Sequence, residues 1–247
     1  MVSPQKYYIQ EISKKTNLRA NWIPDKQMNV GDIGKIEDGI FTLYTTLTHQ
    51  GFPVKLSEAP AGLSSDYSSV DALRISEKPD VDILSPVAKG KKICTIEFLR
   101  PDGVLFHIKD SVKIILSNLS EIENRILEKY KKSLWNLGWV IVTEVIRSNS
   151  GTMIINTGTS NTLEFELSGD ANFNGLNLAE TNLDLRLISE TGTSMKFIGA
   201  SNITPLFTIK GISDPLFGKT KFRGANAYRA IQFDALRDLP FNPSEIE

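Results

Sequence analysis

Residues 120–146, SEIENRILEKYKKSLWNLGWVIVTEVI, read as one amphipathic helix running directly into one strand, and the rest of the chain arranges itself around that junction. Ser120 and Glu123 have the spacing of a capping box, in which hydroxyl and carboxylate satisfy backbone N–H groups that the first helical turn leaves without partners. Ile122, Ile126, Leu127, Tyr130, Leu134 and Leu137 recur at helical spacing and form one stripe, while Glu121, Arg125, Glu128, Lys129 and Lys132 take the other side. Gly138 supplies the left-handed residue that ends such a helix. From Trp139 to Ile146 the chain is β-branched or aromatic at almost every position except Glu144, as in a strand covered on both faces. One face carries Trp139, Ile141, Thr143 and Val145, the other Val140, Val142, Glu144 and Ile146.

The 247-residue chain is 40% hydrophobic, enough for a proper core. A formal net charge of −1 argues against nucleic-acid binding, which calls for a clustered surplus of Lys and Arg. The single cysteine, Cys94, rules out an internal disulfide and a multi-thiolate metal site, and its setting in KKICTIEFL is that of a small buried apolar residue. The first residues, MVSPQKYYIQEISKK, lack the apolar stretch of a signal peptide, and no run approaches the ~18 apolar residues of a membrane-spanning helix. The expectation is a cytoplasmic protein.

Residues 1–20 carry a short helical pattern anchored by Tyr8, Ile9, Ile12 and Leu18, with Pro4 in its first turn. After a turn at Asn21–Asp25, the segment from Val30 to Leu47 reads as a hairpin bent at Glu37-Asp38-Gly39. Gly31 and Gly34 lack the third glycine and the Lys-Ser/Thr pair of a phosphate loop. Residues 51–86 hold four prolines and short strands between loops. Residues 91–99 and 103–108 flank Arg100-Pro101-Asp102-Gly103 as a second hairpin. Beyond residue 146, Ser148–Gly151 and Gly158–Asn161 read as turns of a three-stranded meander, followed by strands at LDLRLIS, SMKFIGA and PLFTIKGI. These elements form a single unit over residues 1–218, and residues 219–247 form a C-terminal segment with a helix-like centre that either docks or detaches. The fold class expected is α+β: a mostly antiparallel twisted sheet with a long amphipathic helix packed on it.

Catalytic chemistry finds little footing. A nucleophilic triad needs a base of near-neutral pKa, and the two histidines, His49 in a turn and His107 in a strand, have no motif around them. No Gly-x-Ser-x-Gly, His-x-x-x-His or Cys-x-x-Cys spacing occurs. Glu164 with Glu166, and Asp80 with Asp82, share strand faces in the manner of solvated edges. Glu144 interrupts a strand that otherwise reads as buried, so it needs a partner, for which a Lys or Arg on a neighbouring strand is the simplest choice. The chain reads as non-enzymatic, with no cofactor and no metal.

The run from the helix through NLGWVIVTEVIRSNSGTMIINTGTSNTLEFEL resembles the corresponding part of gasdermin pore-forming domains, of bacterial type. The resemblance is carried by Asn136, Leu137, Trp139, Val140, Val142, Thr143, Glu144 and Val145, with a looser echo in SMKFIGASNITPLFTIKGI. It implies a protein held inactive by its C-terminal segment until an activating protease removes it. The protein would then self-associate into a membrane β-barrel, the one way such strands cross lipid, as in bacterial cell-death and antiviral defence. It further implies contact with an anionic membrane through Lys89, Lys91, Lys92, Lys129, Lys131 and Lys132. The chain departs from those relatives in lacking a cysteine near its N-terminus. The competing reading is a soluble binding or scaffold module that recognises a protein or a small ligand. An enzyme built on carboxylates comes third.

Overall fold

A computed structural model of the chain describes residues 3–61, 65–68, 73–79, 92–101, 103–156, 158, 161–167, 185–191, 194–212 and 236–239. Its elements run α1 (Pro4–Thr16), β1 (Arg19–Ala20), β2 (Asp32–Glu37), β3 (Ile40–Thr46), β4 (Leu56–Pro60), β5 (Ser65–Ser68), β6 (Leu73–Pro79), β7 (Lys92–Phe98), β8 (Val104–Leu116), α2 (Leu119–Lys131), β9 (Val140–Asn156), β10 (Asn161–Leu167), β11 (Leu185–Thr191), β12 (Ser194–Ile212) and β13 (Leu236–Asp238).

β9 organises the larger sheet. Along one edge it pairs antiparallel with β12, from Val140 opposite Gly211 to Asn156 opposite Ser194. Along the other edge β2 takes Val140 and Ile141, and β8 takes Glu144 to Ile155. β3 extends the sheet from β2, β4 and β5 lie end to end on β8, and β1 and β13 lie end to end on β12. The smaller sheet has the order β11-β10-β7-β6, antiparallel throughout.

Alternation along β12 shows what covers each face. Leu206 packs with Tyr8, Ile9 and Ile12 of α1, and Ile212, on the same face, packs with Ile122, Ile126 and Leu127 of α2. Phe207 and Ile209 point the other way and meet Met28, Val140, Val142 and Val145. Farther along that second face, Leu105 and Ile154 meet Cys94, Ile96, Phe98, Leu163 and Phe165 of the smaller sheet. The central strands are thus covered on both faces, as the run Trp139–Ile146 predicts. Each fully buried Ile, Leu or Phe contributes about 1.5–3 kcal/mol, so these clusters dominate the stability.

The architecture is a β fold with two short helices, and the expected α+β class with a long helix is overturned. α2 stops at Lys131 because Ser133 takes the left-handed conformation (φ 58°). Leu134 N–H then donates to Lys129 O and Ser133 N–H to Tyr130 O, the paired bonds of a Schellman cap. Leu134 is consequently exposed, while Trp135 folds under to meet Phe52 and Trp139. The helix starts earlier than expected as well. Its N-cap is Asn118, whose side chain accepts from Lys55 N–H and donates to Pro53 O, so Ser120 and Glu123 do not form the cap.

The strands, in contrast, are longer than the turn residues imply. Ser148–Gly151 lies inside β9, with Asp110 (φ 51°) of β8 and Asn202 (φ 55°) of β12 left-handed beside it. β9 keeps β8 and β12 as its partners on both sides of this stretch, so the strand does not reverse. At Gly151 an added Cβ would meet the end of the Ile203 side chain, which would have to shift. A register shift at Thr143 also places Val145 on the same face as Val140 and Val142. The hairpin expected about Arg100–Gly103 is a crossing between sheets, with β7 in the smaller and β8 in the larger, and the meander is absent because β10 joins the smaller sheet. The N-terminal helix and the β2–β3 hairpin form where the sequence puts them, with Asp38 and Gly39 at positive φ.

Candidate functional site

The smaller sheet consists of two hairpin pairs, β6–β7 and β10–β11, joined through β7 and β10. Cys94, Ile96, Phe98, Leu163 and Phe165 face the larger sheet. By alternation Thr95, Glu97, Thr162 and Glu164 take the opposite face, where Arg74 of β6 reaches Glu97 at 3.2 Å. Lys92, Pro79, Leu167 and Leu185 are aligned in register at one end. β6 and β10 therefore finish, and β7 and β11 begin, at that one end.

Of the six lysines expected to meet a membrane, the four described belong to two separate elements, β7 and α2 with its C-cap. Lys92 begins β7 at the end just described, and Lys89 and Lys91 lie outside the described residues. Lys129, Lys131 and Lys132 belong to α2 or its C-cap, over the cluster that contains Ile141, whereas the smaller sheet packs over Ile154 of the same strand. Lys129 is already engaged: its ammonium donates to Gln50 O at 2.8 Å and lies 4.8 Å from the Phe52 ring centre. Arg125 shares this arrangement, donating to Gly51 O and stacking 4.9 Å from the same ring. Lys131 and Lys132 are exposed.

The described part of the C-terminal segment is docked. β13 pairs with Lys210–Ile212 at the edge of β12. Leu239 follows it, donating its N–H to Ile209 O and accepting at its carbonyl from Arg19 Nε at 2.9 Å. Its side chain packs beside Val140, Val142, Phe207 and Ile209, over Gly211, where a Cβ would approach Leu239 Cδ1 to 2.9 Å. Neither Arg19 nor Leu239 stands out in the sequence, because partners 220 residues apart leave no local pattern. The helix-like centre read at residues 225–236 lies outside the described residues, apart from Leu236.

The polar residues singled out in the sequence are dispersed. Glu144 meets Lys113 of β8 at 3.1 Å, the neighbouring-strand ion pair its position calls for, with Thr143 and Thr208 hydroxyls 3.3 Å apart nearby. His107 is buried in β8 and His49 is exposed in the turn after β3. Glu164 stands on the outer face of the smaller sheet, and Asp80 and Asp82 lie outside the described residues. Asp32 is the acid the sequence reading passed over. It is buried, accepts from Asn29 N–H at 2.8 Å, and its carboxyl is held above the usual carboxylate range by desolvation, opposed by that hydrogen bond. It lines a groove with Ile23, Met28, Ile40, Phe41 and Leu43. Among the described residues no group of three or more His, Cys, Asp or Glu side chains is placed to hold a metal, and no helix is long and apolar enough to cross a membrane.

Comparison with models of known protein families gives no match, and comparison with curated proteins gives no significant one.

Proposed function

We propose that this chain is a pore-forming protein, held inactive until its C-terminal segment is released, which then self-associates on an anionic membrane. The observation that carries the reading is the smaller sheet. It is two antiparallel pairs whose central strands, β7 and β10, turn Cys94, Ile96, Phe98, Leu163 and Phe165 to the body and Thr95, Glu97, Thr162 and Glu164 away from it. That alternation is what a membrane barrel demands, apolar side chains toward lipid and polar ones toward the lumen. Each arm has seven residues. A barrel strand needs about 9–11, so in this reading each arm lengthens by a few residues.

The docked tail supports the regulatory half of the proposal. β13 covers part of the edge of β12, the longest strand, and Leu239 seals the cluster beneath it. Removal by a protease uncovers unpaired backbone and apolar surface together, a template for edge-to-edge assembly. The protein in this reading begins in the cytoplasm and relocates to the membrane, needing no cofactor.

A second reading, a non-enzymatic module that recognises a protein or small ligand, draws on the groove beside Asp32. Dye release from anionic liposomes separates the two. The 247-residue chain and a version cut near Lys219 are compared, with circular dichroism to show that the cut form stays folded. Leakage by the cut form alone is expected. If the folded, cut form does not leak, the pore reading falls and the binding module stands.

A further inference from the structure

We infer that β3 is a dimerisation edge of the uncut chain, pairing antiparallel with β3 of a second copy. This inference does not rest on the pore-forming reading.

β3 ends the path β1-β12-β9-β2-β3 and, among the described residues, its strand partner is β2 alone. An open edge presents a row of backbone donors and acceptors, and proteins usually guard such rows with charge, proline or brevity. The other outer strands of this sheet are guarded in those ways. β4 carries Glu58 and Pro60 among five exposed residues, β5 has four residues and Asp66, and β1 and β13 have two and three residues. β3 has seven, Ile-Phe-Thr-Leu-Tyr-Thr-Thr, with no charge and no proline. Leu43 and Tyr44 at its middle are 48% and 47% exposed, an apolar pair set outward by the bulge opposite Gly34.

The occupant follows from the ends of the strand. Before β3 stand the exposed acids Glu37 and Asp38. After it comes the turn Thr48–Gly51, which carries His49 and is clamped by Arg125 and Lys129 through the carbonyls of Gly51 and Gln50. A twofold axis at Leu43 sets Ile40 opposite Thr46, Phe41 opposite Thr45, Thr42 opposite Tyr44 and Leu43 opposite itself, with no like charges facing. The same axis brings the acidic end of each copy to the basic end of the other. The nearest cation on β2, Lys35, is engaged over the Tyr44 ring at 5.7 Å. A second copy therefore satisfies backbone, apolar side chains and charge at once.

Sedimentation equilibrium on the 247-residue chain and on Leu43→Lys and Leu43→Glu tests the inference. Leu43 is half exposed, so both variants keep the parent circular dichroism spectrum. The parent is expected to dimerise, and each variant alone to dissociate at least tenfold more readily, since like charges then face across the axis. Mixing the two variants restores a dimer, a rescue that misfolding would not give. A parent chain that remains monomeric to its solubility limit, or a dimer indifferent to charge at position 43, overturns the inference.

Discussion

Arg19 and Leu239 are joined by a hydrogen bond of 2.9 Å from the guanidinium Nε to the backbone carbonyl oxygen, across 220 residues of sequence. Arg19 is 4% exposed and the bond is partly buried, and it ties β1 to the residue that follows β13. Truncating the donor leaves a partly buried carbonyl without this partner, a loss of about 0.5–1.5 kcal/mol. Arg19→Ala is therefore expected to lower the urea midpoint and, more tellingly, to hasten proteolysis of residues 213–247 before that of the body. A variant that loses stability with unchanged cleavage of the tail would mean that Arg19 serves β1 alone.

Ser133 is a left-handed residue at a helix end where glycine is the natural choice. Any side chain there is strained, and glycine relieves it at no cost to helix propensity because the position lies beyond the last helical turn. Ser133→Gly is expected to stabilise the protein by about 0.5–1 kcal/mol, read as a higher denaturant midpoint with an unchanged slope.

The same serine explains what the sequence hides. Helix stops are legible when glycine marks them, and here the first glycine, Gly138, stands five residues too late, so the stripe takes in Leu134, which is exposed, and Leu137, which packs on the same cluster from beyond the helix. Local signals were otherwise sound. Pro4, the apolar spacing of Tyr8, Ile9 and Ile12, and the Asp38-Gly39 turn gave their elements correctly, as did the doubly covered run at 140–146. Turn-forming residues inside long strands misled, because Ser, Asn and Gly also sit within paired strands, and the deciding partners, on β8 and β12, lie elsewhere in the chain. Which strands pair was less legible still. β7 and β8 are separated by a Pro-Gly turn that fits a hairpin, yet apolar residues on both faces of β8 require a layer on each side, and β7 supplies one of them. Glu144 could be read as needing a cation on a neighbouring strand, but nothing local names Lys113.

Asp32 gives the stability a pH dependence of unusual sign for an acid. Its folded-state pKa is raised, chiefly by desolvation, so the folded protein holds this proton more tightly than the unfolded chain. The stability tied to it is complete below the unfolded aspartate value and is lost as pH rises through the folded one. Asp32→Asn keeps an oxygen for Asn29 N–H and removes the ionisation. The variant should match or exceed the parent at neutral pH, with the advantage shrinking as pH falls through the carboxylate range. Glu121 is the control of opposite sign. The hydrogen bond from Lys55 depresses its pKa, so Glu121→Gln should cost stability at neutral pH and nothing once pH has fallen through the folded value.

The Lys113–Glu144 pair lies on the sheet face between the clusters under α1 and α2, since Lys113 is opposite Ile146 and Glu144 opposite Thr208. Both side chains are partly covered, at 31% and 18% exposure, so each charge has lost part of its hydration and depends on the other. Removing one leaves its partner poorly solvated, a larger penalty than the pair is worth intact. Lys113→Met alone is expected to cost about 1–3 kcal/mol, and Glu144→Leu alone about the same. The double variant should recover most of that loss, because two apolar side chains between two apolar clusters extend both of them. A double-mutant cycle from urea unfolding gives the coupling directly. If the losses simply add, the ion pair holds nothing in place, and Glu144 is kept in its apolar strand for a reason other than the pairing with Lys113.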